Sequence, residues 1–173
     1  MTDLSSAFVP AVSVEDHVRG PGGAPVVIVY GDFACPRCVV AHERLRGEPV
    51  RVVFRHLALR IKHPRAVALA HAAEAAAAQD AFWAMHDALY ADPGRIDDPH
   101  VWNRVTDLGL DLDRFEADRR SEAVAARVAR DVRAALKAGA TATPTLFVDG
   151  VAHAGPPDAE LLARLRWAGT QEI

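Results

Sequence analysis

"VVIVYGDFACPRCVV", residues 26–40, runs from an unbroken apolar stretch through a pair of cysteines into a helical pattern, and its reading decides the fold. Val26 to Gly31 form a continuous β-branched and aromatic run bounded by Pro25 and Gly31. Such a run predicts a strand covered on both faces. Pro36 suits the first turn of a helix, where its missing N–H has no partner to lose. Gly47 and Pro49 stop that helix. "VRVVFRHLAL", 50–59, predicts the next strand, and strand, helix and strand with short joins make a right-handed parallel crossover.

The pattern outward from this unit is helical, then extended again. From Pro64 to about Lys137, apolar residues recur at three- and four-residue steps, as in Phe82, Met85, His86 and Leu89 or Val124, Val128 and Val132. Asp92-Pro93-Gly94, Asp97-Asp98-Pro99 and Asp111 to Asp113 are joints and caps. "TLFV" at 145–148 and "VAHA" at 151–154 flank Asp149-Gly150, the pair that a tight hairpin turn favours. Residues 158–168 predict a closing amphipathic helix. Residues 1–24, ending in "RGPGGAP", read as a lead-in arm. The expectation is an α/β chain, βαβ then ββα, forming a single domain over 1–173 with an all-helical insertion over about 64–137.

With 173 residues, 50% of them hydrophobic, the chain can bury a core without staples. Its 20 basic and 23 acidic residues are scattered, and no basic stripe offers itself to a phosphate backbone. The start, "MTDLSSAFVPAVSVEDHVRG", lacks the basic and apolar segments of a secretory signal, and no stretch approaches the roughly 18 apolar residues of a membrane span. These features predict a cytoplasmic protein with neither nucleic acid nor membrane as partner.

Cys35 and Cys38 are the two cysteines of the chain. A bond between them closes too small a loop to stabilise the fold much. As metal ligands they can combine with His42, at i, i+3 and i+7 of the helix, but a structural zinc site needs four ligands and there is no second cysteine pair. A three-ligand site stays open, and His42 otherwise reads as a half-exposed helix residue able to modulate Cys38. As a redox pair, both sulfurs fall in the first turn of a helix, where unpaired N–H groups and the dipole favour a thiolate. Cys35 is then the exposed attacker and Cys38 the inner resolver. The dipole, at ~0.3–2 kcal/mol, lowers a thiol by ~0.2–1.5 pKa units. With Pro36 opening the helix and the charge of Arg37 added, Cys35 is expected near 7 or below. Phe33, two residues earlier on the loop, is a candidate for a substrate-facing rim. No role is assigned to His56, His63, His71 or His86, and Phe82, Trp83, Trp102 and Phe115 read as core.

Four segments in order, "DHVRGPGGAPVVIVYGDFACPRC" at 16–38, "FRHLAL" at 54–59, "FWAMHDALY" at 82–90 and "GATATPTLFVDG" at 139–150, resemble the DsbA-like thiol oxidoreductases. The resemblance covers about residues 16–168 and implies a thioredoxin-like fold. It implies Cys35 as nucleophile, Cys38 as resolving cysteine, and Pro144 as a cis proline facing the pair, with Thr143 pairing with an extended substrate peptide. It implies no cofactor and no metal, a protein or small-molecule disulfide as substrate, and electrons from a thiol or reductase that the sequence does not identify. One family feature is missing: a buried glutamate six residues before the first cysteine is here Val29. Asp32 is the nearest acidic substitute.

Strong oxidants of this fold lie at about −120 mV and the cytosolic thiol pool at about −220 to −320 mV, so a cytoplasmic copy rests as a dithiol. Reduction or isomerisation of substrate disulfides is therefore expected. A redox-dependent binding or sensing module using the same pair without turnover is the alternative. A glutathione-transferase-like isomerase on a related fold lacks this C-x-x-C logic.

Overall fold

The computed structural model describes residues 8–170. The first seven residues of the expected lead-in arm, and 171–173, lie outside the described residues. Five strands form one sheet in the order β1-β3-β2-β4-β5. β2 (Val26–Gly31) and β3 (Arg51–His56) pair in parallel, Val26 opposite Arg51 and Gly31 opposite His56. The crossover between them is α1 (Pro36–Leu45). β4 (Thr145–Val148) runs antiparallel to β2, and β5 (Val151–Ala154) antiparallel to β4. Their turn has positive φ at both Asp149 (50°) and Gly150 (78°), the twist that a two-residue hairpin needs.

The lead-in arm contains one element that the sequence reading left out. β1 (His17–Arg19) pairs antiparallel with the free edge of β3. Three residues with a polar side chain at each end carry no alternation to read, and what holds them is distant chain: His17 meets Glu74 and Arg19 meets Asp87.

The insertion is five helices, α2 (Ala66–Ala77), α3 (Phe82–Ala91), α4 (Asp98–Asp107), α5 (Leu112–Asp118) and α6 (Glu122–Lys137). α7 (Ala159–Gly169) closes the described chain. Asp97, Asp111, Ser121 and Asp158 accept the free N–H groups of His100, Arg114, Val124 and Leu161, caps that contribute ~1 kcal/mol each.

Alternate residues of β2 feed two cores, which is why its sequence is apolar throughout. Val27 and Val29 pack with Phe54, Leu146, Leu45, Met85 and Leu89 on one face; Ile28 and Tyr30 pack with Val53, Phe147 and Ala135 of α6 on the other. Phe82 and Phe115 are core as expected. Trp102 is not: it is 37% exposed, and its indole N–H donates to Glu116 at the surface, 2.8 Å. An amphipathic pattern places an indole on a helix face but does not say how deep that face lies. No helix of the described residues is long and apolar enough to cross a membrane.

Candidate active site

The site begins where β2 ends. A Cβ on Gly31 would stand 2.6 Å from the Phe54 ring and 3.2 Å from the Tyr90 hydroxyl, so only glycine lets the chain leave the strand beneath these aromatics. Asp32, buried, then ties the loop. Its Oδ1 accepts the Ala34 N–H (2.8 Å), its Oδ2 meets His63 Nδ1 (2.8 Å), and its carbonyl accepts the Cys35 N–H (3.1 Å). Its own N–H donates to Cys38 Sγ at 3.4 Å.

Cys35 has extended backbone and is the N-cap of α1, with Pro36 as the first helical residue. The N–H groups that a serine or aspartate would cap therefore face a sulfur. Cys35 is lowered to about 5 by a hydrogen bond from the Cys38 thiol, against burial, with help from the Thr143 side chain and the N–H groups of Cys38 and Arg37. The same bond and burial push Cys38 far above the usual thiol range. Tyr90, fully enclosed, is held protonated by burial and also meets Cys38.

From the opposite side comes the loop before β4. The Thr143–Pro144 peptide is cis, and the Thr143 carbonyl oxygen lies 3.5 Å from Cys35 Sγ. The Pro144 carbonyl accepts the Gly155 N–H at 2.7 Å. Residues 35, 38, 143 and 144 thus meet at one place.

Three expectations change. Phe33 is not a rim residue: it is 1% exposed, with ring centroids 5.0 Å from Tyr90 and 5.2 Å from Phe54. The turn fixed by Asp32 directs its ring inward, and an apolar side chain beside an aromatic cluster stays out of water. Cys35 is 5% exposed rather than open, because Thr143 lies against its sulfur. Arg37 acts on Cys35 through its backbone N–H, while its guanidinium packs against Gly155, within 2.3 Å of where a Cβ there would stand.

Among the described residues, two groups bring three metal-ligating side chains within 4.8 Å, His17–His56–Glu74 and His42–His86–Asp87. The donors fit internal partners. Glu74 Oε1 is 2.7 Å from both His17 Nε2 and His56 Nε2, and Arg19 takes both oxygens of Asp87 at 2.8 Å. The set Cys35, Cys38 and His42 raised by spacing is not among them. Sequence reasoning missed the Asp32–His63 pair and Tyr90. Their separation along the chain gives no local signal, and only the aspartate's place just before the cysteines hinted at a role.

The model of the DSBA-like thioredoxin domain matches residues 47–165. The chain belongs to this family. A thioredoxin-like oxidoreductase from Silicibacter pomeroyi superposes with a TM-score of 0.79 at 24% identity, covering 93% of this chain and 95% of that one. DsbA2 of Pseudomonas aeruginosa gives 0.71 at 26% identity, covering 90% and 94%. Among curated relatives, a protein named Na(+)/H(+) antiporter NhaA 3 from Salinispora tropica is 44% identical over 95% of this chain. The chain spans 28% of that relative's length.

Proposed function

We propose that this DsbA-like protein reduces or isomerises disulfides of protein or small-molecule substrates in a reducing compartment, the cytoplasm. The Cys35 thiolate attacks a substrate disulfide and forms a mixed disulfide, and Cys38 displaces the reduced product. Thr143 and Pro144 border the attacking sulfur and receive the substrate backbone, with Pro36 and the Arg37 N–H holding the anion in place. Electrons come from a thiol or a reductase.

The observation that carries this reading is the Cys35 sulfur at the mouth of α1, lowered to about 5 and 3.5 Å from Thr143. A sulfur that ionises two units below neutrality is a nucleophile at pH 7. Its ionisation also favours the dithiol over the disulfide by ~30 mV per unit, ~60 mV in all, which keeps the pair reduced at rest while lowering its driving force toward a substrate disulfide by the same amount.

Insulin-disulfide reduction and acid-trapping of the cellular redox state test it. The parent is expected to reduce insulin, Cys35→Ser to lose this activity, and the trapped protein to be a dithiol. A Cys35→Ser variant with full activity, or a trapped Cys35–Cys38 disulfide, would overturn the proposal.

A further inference from the structure

When Cys38 resolves a mixed disulfide it must release its proton; the Cys35 thiolate no longer faces it at that stage, but burial still holds the proton on the sulfur. The thiol borders a cavity of about 230 Å³, lined among others by Val29, Cys38, His42, Phe54, Asp87 and Tyr90. The exposed residues Arg46 and Gly47 also line it, so it opens to solvent. At ~30 Å³ per molecule of liquid, it has room for several waters beside polar walls.

We propose that His42 receives the Cys38 proton through water in this cavity and passes it to solvent, making it the proton-relay residue of the resolving step. The inference rests on the function proposed above. His42 follows Cys38 by four positions on α1, so both side chains lie on one face of the helix.

The other groups lining this cavity are poorer acceptors, and Asp32, which lies outside its lining, has one carboxylate oxygen bonded to the Ala34 N–H and the other to His63. Val29 has no acceptor. Tyr90 stacks on His42, with centroids 5.2 Å apart, and keeps its own proton. His86 is buried, bonded through Nδ1 to Asp87 at 2.8 Å, and lowered by burial to about 4. Asp87 is held by Arg19, and Glu48 by Arg166 from α7. Arg19 and Arg46 are cations. The His42 side chain is 8% exposed, and burial lowers it below the ordinary histidine value, leaving a neutral imidazole at pH 7. Asp87 and Glu43, each 4.0 Å from Nε2, steady the imidazolium while it exists; Arg19 and Arg46 oppose it.

The bond between Cys35 and the substrate sulfur breaks, and the bond between Cys35 and Cys38 forms. The substrate sulfur leaves with the electron pair as a thiolate. The Cys38 proton moves through water to His42 and then to bulk solvent. No further oxidant or reductant takes part.

The test uses 5,5′-dithiobis(2-nitrobenzoate), which releases one coloured thiolate as Cys35 is attacked and a second as Cys38 resolves. In the parent, the rate of the second phase falls as pH drops through an inflection below 6.5. His42→Gln is expected to slow that phase roughly a hundredfold at pH 7, the lower end of general-base effects, and to remove the inflection. Its first phase should keep the parent's rate, which also reports an intact fold. Asp87→Asn should move the inflection to lower pH, a shift that a purely structural role would not give.

His42→Gln resolving at the parent's rate with the parent's pH profile would overturn the relay alone. If that variant does not fold, an unmoved inflection in Asp87→Asn overturns it. Absence of any first phase in the parent would instead remove the functional reading beneath it.

Discussion

The Cys35 sulfur stands 3.5 Å from the carbonyl oxygen of Thr143, 108 positions further along the chain, so the start of α1 and the loop before β4 converge on one atom. The Thr143 side chain adds a hydrogen bond that favours the thiolate. Hydrogen bonds to charged groups contribute ~1.5–3 kcal/mol, or ~1–2 pKa units. Thr143→Val keeps the shape and removes the hydroxyl. The thiolate absorbance of Cys35 is expected to titrate ~1 unit higher in this variant than in the parent. An unchanged midpoint would mean that the helix start and Cys38 set the ionisation without it.

Protons and electrons are linked in this pair. Below the Cys35 value of about 5, forming the dithiol takes up two protons for two electrons; above it, only Cys38 binds one. The reduction potential is therefore expected to fall by ~59 mV per pH unit in acid and by ~30 mV per unit at neutrality. The break should lie near pH 5. A glutathione equilibrium series from pH 4 to 8 measures it, and a single steep slope through pH 7 would show that Cys35 is protonated there.

The central strands, the hairpin turn and the position of the cysteine pair were legible because each depends on neighbours a few residues away. "VVIVYG" needed only its own composition to be recognised as doubly covered, and Asp149-Gly150 needed only two positive φ angles. Phe33 was misread because its environment is made by Phe54, His86 and Tyr90, residues from β3 and α3 that no local pattern links to it. β1 escaped for the same reason, since its polar residues are paid for by Glu74 and Asp87 across the fold. Arg37 shows a further limit: its charge could be read, but where its guanidinium would go depended on the space left by Gly155.

Glu74 of α2 is the clearest case of chemistry that only the folded chain creates. Its Oε1 lies 2.7 Å from His17 Nε2 on β1 and 2.7 Å from His56 Nε2 on β3, and the Arg127 Nε of α6 is 3.9 Å away. Burial alone would raise its pKa, but the two histidines outweigh it and hold the carboxyl well below the usual carboxylate range. Glu74→Leu leaves the buried His56 and the part-buried His17 without their carboxylate partner and is expected to cost ~3 kcal/mol in urea unfolding at pH 7. A group with a lowered folded pKa contributes its full stabilisation above its unfolded value, near 4.5, and loses it as pH falls towards the folded one. The deficit of the variant relative to the parent should therefore be complete at pH 7 and smaller at pH 3. A deficit that is equal at both would show that Glu74 acts by packing alone, without its charge.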